Sequence, residues 1–224
     1  MPYRRTENVA RRLAARRDAI IAAARQTASE GGMAAVQIAP VAARAGIAAG
    51  TVYRYFPAKS DLVAALLAEI SEREIAALRR AADAAPGPLS ALAAAIMTFA
   101  ARALRSRRLT FATMAEPVEA EAEAARLALR KALAAEFSAR IVAAVAGGRL
   151  PEQDAALAAA ALVGLLVDGL IGPLAPDASG REREIVQSLT LTALRALGVA
   201  DARARGLVVQ TVMPPGSGAA EQAS

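Results

Sequence analysis

The stretch IAPVAARAGIAAGTVYRYFPAK, residues 38–59, most constrains the fold of this chain. Apolar residues at helical spacing precede Gly46, and a second short helical segment follows it and stops at Pro57. A glycine permits a tight turn between two short helices, and a proline ends the second one. The stretch therefore predicts a helix-turn-helix, a motif whose second helix enters the major groove of DNA.

The composition favours an all-α fold around this motif. Hydrophobic residues make up 55% of the 224 residues, and much of that fraction is alanine, the residue with the highest helix propensity. Runs of β-branched residues, which are typical of strands, are scarce. Apolar spacing and the positions of Gly and Pro predict helices at about 10–29, 37–45, 49–56, 59–80, 89–105, 109–115, 118–146, 153–170 and 181–197.

Positive charge is concentrated at the N-terminal end. Residues 1–60 contain 10 Lys or Arg and 3 Asp or Glu, a net charge of +7, whereas the remainder carries −1. This asymmetry indicates a polyanionic partner such as nucleic acid. The alternative is a solvated basic face without a specific partner. Arg4 and Arg5 could enter a minor groove as an arm, or belong to a disordered tail that attracts DNA nonspecifically.

Other classes of function find less support. The chain has no Cys and no His, so thiol chemistry and histidine-based catalysis are excluded. Serine or carboxylate catalysis stays open, although no constellation of residues points to it, and neither a cofactor nor a metal is expected. The N-terminus is polar, and the longest apolar run, 155–167, is shorter than the roughly 20 residues that span a bilayer. A soluble, cytoplasmic protein that is not an enzyme is therefore predicted.

From helix one to the start of helix four, the sequence resembles the tetracycline-repressor (TetR) family of transcription regulators. The spacing from Gly46 to Lys59 matches the family without a gap, and the close match covers about residues 14–74. The matching residues are Ile20, Ile21, Ala23, Ala24, Gly32, Val41, Ala42, Arg44, Ala45, Gly46, Gly50, Thr51, Tyr53, Tyr55, Phe56 and Lys59.

The resemblance implies a three-helix DNA-binding domain joined through a long helix to a C-terminal helical domain for ligand binding and dimerisation. The corresponding division is a basic arm at 1–13, a DNA-binding domain at 14–74 with its helix-turn-helix at 37–56, a ligand-binding and dimerisation domain at 75–200, and a disordered tail at 201–224. It further implies a homodimer formed by the helices at 153–170 and 181–197, a palindromic operator, and a small-molecule effector that releases the DNA. The alternative is a helical interaction module whose basic end binds anions nonspecifically.

The predicted DNA contacts are clustered at the starts of helices two to four and along helix three. Gly50 would let the backbone approach DNA closely. Two tyrosines at i and i+2 cannot face the same way on a helix, so we expect Tyr53 to face the DNA and Tyr55 to pack partly inward. Arg54 could read a guanine edge or remain a solvated, phosphate-facing charge. Besides Arg4 and Arg5, the candidates are Gln37, Ala48, Ala49, Gly50, Thr51, Tyr53, Arg54, Tyr55 and Lys59.

The sequence departs from the family at the starts of helices two and three. The family usually has Ser or Thr near these places, where this chain has Gln37 and Ala48. We therefore expect both helices to lack a side-chain N-cap, which typically costs about 1 kcal/mol each.

A ligand pocket is predicted in the C-terminal part, where three of the four phenylalanines lie close together along three helices. An ordinary helical core would show the same pattern. Glu116 and Glu119 could meet a cationic ligand or simply face solvent. The candidate pocket residues are Ile96, Met97, Phe99, Leu104, Phe111, Met114, Phe137 and Asp168.

Overall fold

The computed structural model describes residues 3–118 and 120–214, and the regular elements in these two ranges are helical. The prediction of an all-α fold is therefore confirmed. The described α-helices are α1 (Tyr3–Gly31), α2 (Ile38–Arg44), α3 (Ala49–Tyr55), α4 (Lys59–Asp83), α5 (Pro88–Arg105), α6 (Arg107–Met114), α7 (Ala120–Ala146), α8 (Ala155–Leu170), α9 (Glu182–Ala196) and α10 (Asp201–Gln210).

Helices α1–α3 and the first turns of α4 form a compact unit, here called the head. Ile20, Val41, Val52 and Phe56 form its core, and each of these side chains is at most 2% exposed. Gly46 has a φ of +66° in the turn between α2 and α3, a conformation that glycine adopts without strain. This turn sets the angle between the two short helices.

Helices α5–α10 and the remainder of α4 form the second unit, here called the body. Helices α4, α5 and α7 pack against one another, α8 covers α7, and α9 covers α5. At the centre, the rings of Phe99 and Phe137 meet edge to face with centroids 6.5 Å apart. Helix α4 belongs to both units and runs from the head into the body.

The predicted basic arm at 1–13 is corrected by the structure. Residues 3–13 form the first turns of α1, so Arg4 and Arg5 lie on a helix and not on an extended arm. The physical reason is local: between Tyr3 and Glu30 there is no Pro or Gly, and Arg and Ala are strong helix formers.

The predicted disordered tail at 201–224 is wrong over its first half. Residues 201–210 form α10, which buries Ala204, Leu207 and Val208 against the body. The Asp201 carboxylate accepts hydrogen bonds from Nε of Arg195 at 2.7 Å and Nε of Arg205 at 2.9 Å, which fixes the start of α10 to the end of α9. The part of the predicted tail at 215–224 lies outside the described residues.

Across the described ranges, no single helix combines the length and the apolar character needed to cross a bilayer. Only α5 and α6 taken together meet that requirement, and their axes are bent by 104° at the break between them.

Candidate nucleic-acid interface and internal cavity

Helix α3 presents one face to the core and the other to solvent. Val52 is fully buried, whereas Tyr53 is 53% exposed and Arg54 is exposed as well. Tyr55 is half-buried and packs against the head core. The expected division of the two tyrosines, one outward and one partly inward, is therefore confirmed, while their contact with DNA remains a prediction.

The other predicted contact residues surround this outward face. Gln37, Ala48 and Gly50 are exposed. Ala49, Thr51 and Lys59 are partly exposed. A Cβ atom at Gly50 would meet no other atom within 4 Å, so the backbone there is open to the approach of a large ligand. The structure thus brings these residues together on one surface of the head.

Neither α2 nor α3 has a side-chain N-cap, as expected from the sequence. Gln37 and Ala48 occupy the cap positions, and the side chain of neither cap residue accepts a hydrogen bond from its helix. The Gln37 amide instead donates to the backbone carbonyl of Ala34 at 3.1 Å. The free N–H groups at these helix starts are available to phosphate oxygens.

Two charged contacts hold the helices of the head in place. Arg44, at the end of α2, forms a bidentate ion pair with Glu30 near the end of α1, with Nη1 3.0 Å from Oε1. The guanidinium of Arg17 lies over the ring of Phe56, 5.3 Å from its centroid. The contact gives Arg17 a packing role at the end of α3.

Helix α6 is joined to the head by two side chains, Arg108 in its first turn and Glu116 just after its end, here called the clamp. The carboxylate of Glu116 accepts hydrogen bonds from the backbone N–H of Met33 at 3.1 Å and of Ala34 at 3.2 Å. Arg108 Nη2 donates to the carbonyl of Gly31 at 2.9 Å. Glu116 therefore does not simply face solvent, because it caps the short 3₁₀ turn at 33–35. Glu119 lies outside the described residues.

Gly32 makes the clamp possible. Its φ is +80°, and a Cβ atom there would lie 2.5 Å from both Arg108 Nη2 and Glu116 Oε2. A larger residue at position 32 would therefore be strained in its backbone and would push the clamp apart. Sequence reasoning noted this glycine only as a family match, since its partners are distant in the chain.

A cavity of about 290 Å³ lies in the body directly beneath the head. It is bounded by α1, α4, α5, α6 and α7. Its apolar wall consists of Ile70, Phe99, Leu109, Met114, Leu129 and Leu133. Its charged lining consists of Arg25, Arg73, Glu74, Arg102 and Arg105.

Two of the eight predicted pocket residues, Phe99 and Met114, line this cavity. Asp168 is exposed on α8, because an unpaired carboxylate is too costly to bury in an apolar helix bundle. The remaining five pack within or against the apolar core, where α5 and α7 are in contact and α6 lies alongside: Ile96, Met97, Leu104, Phe111 and Phe137.

The charged side of the cavity was missed by the sequence analysis. Arg102 Nε donates to Glu74 Oε2 at 2.9 Å, and this hydrogen bond raises the pKa of Arg102. Arg25 reaches the cavity from α1. Its spacing of four from the buried Ile21 was a usable signal, since it places Arg25 on the inward face of that helix.

Comparison with known proteins places a family likeness in the N-terminal part of the chain. Residues 20–66 match the sequence profile described as bacterial regulatory proteins, tetR family. The match covers α2, α3, the C-terminal part of α1 and the first turns of α4, the elements that carry the exposed surface described above. Over these residues the chain is similar to the TetR family.

One curated relative of this chain is the HTH-type transcriptional repressor KstR of Mycolicibacterium smegmatis. It is 46% identical over 77 residues, which are 34% of this chain and 38% of KstR. The chain spans less than two fifths of the length of each curated relative reported for it. The relation therefore concerns one segment and not the full length of these proteins.

Solved structures extend the likeness in fold to nearly the whole chain. RolR in complex with resorcinol superposes with a TM-score of 0.69 at 24% identity, covering 93% of this chain and 100% of RolR. FadR from Bacillus subtilis in complex with stearoyl-CoA gives a TM-score of 0.67 at 20% identity, covering 81% of this chain and 98% of FadR. At these identities the likeness establishes the shared helical architecture, including that of the body.

Proposed function

We propose that this chain is a homodimeric TetR-family transcriptional repressor that binds an operator through α3 and is released from it by a small-molecule effector. The observation that carries the proposal is the outward face of α3. Thr51, Tyr53 and Arg54 lie there, on a segment with a net charge of +7, within the part of the chain that matches the family profile. The chemistry is binding only, and a cytoplasmic location follows from the need to meet chromosomal DNA.

In this proposal the phosphate contacts come from helix starts and the base contacts from the side chains of α3. The uncapped N–H groups of α2 and α3, together with Lys59, would bond phosphate oxygens. Arg54 and Tyr53 would reach base edges or phosphates in the major groove. In a dimer, two such helices would enter grooves roughly 34–36 Å apart, one turn of DNA, and the operator would be palindromic.

The clamp supplies a route from the cavity to the head. Helix α6 lines the cavity with Leu109, Thr110, Thr113 and Met114, and its C-terminal end leads to Glu116, which holds the turn at 33–35. A ligand that displaces α6 would therefore move the head relative to the body. Only a ligand with different affinity for the two arrangements can shift the population between them. KstR is named a repressor, and RolR and FadR were each solved with a small molecule, which supports this assignment by analogy.

The homodimer is proposed to form through α8 and α9. The outward face of α8 carries Leu157, which is 69% exposed, followed by Ala160, Ala161 and Gly164. Small residues of this kind let two helices approach closely. Leu189 and Leu191 are partly exposed on α9 beside this face. Two helices from each protomer would then form a four-helix interface.

The decisive experiment is fluorescence anisotropy with the DNA that flanks the protein's own gene, compared with a scrambled duplex over a series of salt concentrations. We expect selective binding whose affinity falls steeply with salt, since each neutralised phosphate contributes about −0.9 to the logarithmic slope. The repressor proposal would be overturned if the protein bound the flanking DNA and the scrambled duplex equally. Fragments from a genome-wide selection would then also have to bind no more tightly than scrambled DNA. That result would favour instead a helical interaction module with a nonspecific basic end.

A further inference from the structure

The cavity beneath the head is amphipathic. Six large apolar side chains form one part of its wall, and four arginines with a single glutamate form another. Ala103 and the hydroxyl residues Ser106, Thr110 and Thr113 complete the lining. An apolar wall favours a ligand with a hydrocarbon or aromatic body. An excess of arginine favours a ligand that also carries negative charge.

Two of the four arginines have carboxylate partners. Arg102 is paired with Glu74 inside the cavity, and Arg73 is paired with Glu69 one turn away on α4. Arg105 donates only to the neutral carbonyl of Pro214, at 3.1 Å. Among the described residues, no carboxylate forms an ion pair with Arg25 or Arg105. The cavity therefore has two positive charges without a compensating acid.

Arg25 carries the more specific signal. Its Nε atom is buried and has no hydrogen-bond acceptor in the part of the chain that the structure describes. A buried donor without a partner costs about 1–3 kcal/mol, and such groups are rare in folded proteins. The guanidinium donates in a planar fork, and the acceptor that matches this fork is a carboxylate, which can take two parallel hydrogen bonds.

We propose that the effector is an amphipathic organic acid, with its carboxylate bound by Arg25 and its apolar body packed against Phe99, Met114 and Leu133. The assignment rests on the proposed function and deepens it by naming the class of effector. Arg25 belongs to α1, the first helix of the head, while the apolar wall belongs to the body. One ligand would thus contact both units and could favour one arrangement of the head over another.

The test uses three organic acids with bodies of different shape, each paired with its neutral primary amide. The pairs are octanoate and octanamide, 4-phenylbutyrate and 4-phenylbutanamide, and 2-naphthoate and 2-naphthamide. Binding to the full chain is measured by isothermal titration calorimetry. We expect at least one acid to bind about tenfold more tightly than its amide, because a hydrogen bond to a charged group contributes more than one between neutral groups.

Two variants of Arg25 and one control assign the preference to this residue. Arg25→Gln should abolish the preference for the acid, and Arg25→Lys should keep part of it because the charge remains. Arg149→Gln, at an exposed position between α7 and α8, should keep the full preference. A melting curve for each variant establishes that it is folded. If no acid is preferred, or if Arg25→Gln retains the preference, the proposal is wrong.

The same acids are then added to the complex with operator DNA. Release of the DNA supports both the site and the repressor proposal. If an acid binds in a way that depends on Arg25 but the DNA stays bound, the proposed acid site is supported and release of the DNA by the effector is contradicted. If the protein binds operator DNA selectively but binds no acid more tightly than its amide, the repressor proposal stands and the assignment of the effector is wrong. The two proposals therefore fail in distinguishable ways.

Discussion

Tyr53 and Tyr55 are two residues apart on α3, yet their surroundings differ, because a helix turns by about 200° over two residues. Tyr53 is 53% exposed beside Arg54, whereas Tyr55 packs against the core of the head. We predict that Tyr53→Phe weakens operator binding about tenfold, since a hydrogen bond to a charged phosphate contributes about 1.5–3 kcal/mol. Thr51→Ala should act in the same direction. Anisotropy with operator DNA measures both effects.

The circular dichroism and melting temperature of both variants should match those of the unmodified protein, because neither change removes a buried contact. Normal operator binding by both variants would mean that α3 does not read the DNA. The inward or outward direction of these tyrosines followed from their spacing within a single helix, which is why the sequence alone could predict it.

Glu136 is the buried centre of an ion-pair network between α4 and α7. It is 6% exposed, accepts from Arg79 Nε at 2.9 Å, and lies 2.6 Å from Arg140 Nη2. We predict that Glu136→Ala lowers the free energy of unfolding by about 3 kcal/mol, since it leaves the mostly buried Arg140 with only the more distant carboxylate of Asp83, 3.9 Å away. Urea unfolding measures the change. Glu184→Ala, which removes an exposed pair with Arg181, should leave the unfolding midpoint nearly unchanged.

The roles of the charged residues at the site could not be predicted from the sequence. Arg25 and Glu116 were placed in solvent or left unassigned, because an isolated Arg or Glu is usually exposed. Their roles depend on partners brought together by the fold: Glu116 accepts from the amide of Met33, 83 residues away. No local pattern encodes such a distance. The apolar core could be inferred from periodicity, but the polar groups around it could not.

At the scale of elements, the limits of α2, α3 and α4 followed closely from the sequence because Gly46 and Pro57 mark them. Helix α10 was missed for the opposite reason: its glycine and the polar, proline-containing segment after it suggested disorder, while Ala204, Leu207 and Val208 already had helical spacing. The burial of these three side chains against the body stabilises the helix. Such burial is a property of the folded molecule that a short apolar patch indicates only weakly.

Helix α10 offers a matched pair of substitutions. Leu207 is 5% exposed, and Leu207→Ala should lower the free energy of unfolding by about 2–4 kcal/mol through lost apolar contact and the cavity left behind. Val209 is 81% exposed on the same helix, and Val209→Ala should change the free energy of unfolding by less than about 0.5 kcal/mol. Denaturant unfolding compares the two. Equal effects would contradict the docking of α10 on the body.

The clamp between α6 and the head can be tested without any ligand. Glu116→Ala removes the acceptor of the Met33 amide, and we predict that this amide then exchanges its hydrogen about tenfold faster, since one such bond contributes about 1–2 kcal/mol to local stability. Hydrogen exchange followed by NMR measures the rate. Glu152→Ala, at an exposed position between α7 and α8, is the control and should leave the rate unchanged. An unchanged rate in Glu116→Ala would mean that the clamp does not hold the head.

At the scale of the whole molecule, the cavity could not be predicted because five helices, from α1 to α7, must converge before it exists. Its walls come from residues 25 to 133, and each wall residue considered singly looks like core or surface. The fold class and the order of the helices depend on local signals and were accessible. The empty space between the helices depends on their packing angles, which the sequence does not show.

The proposed dimer depends on the exposed apolar face of α8. Leu157 is 69% exposed on α8, in the face assigned to the interface, and Val142 is 55% exposed on α7, outside that face. We predict that Leu157→Glu converts the dimer into monomers, because it places a charge in an apolar contact. Val142→Glu should leave the dimer intact. Sedimentation equilibrium distinguishes the two states.

Loss of the dimer should also weaken operator binding, although α3 is untouched, because two linked heads bind two half-sites far more tightly than one head binds one. The Leu157→Glu variant should therefore show a shallower dependence of affinity on salt, since each monomer neutralises about half as many phosphates. Two results would contradict the interface on α8 and α9: a wild-type chain that sediments as a monomer, or a Leu157→Glu variant that remains a dimer. If the Leu157→Glu variant is still a dimer but binds operator DNA more weakly, the substitution acts through the structure of each protomer and not through the interface.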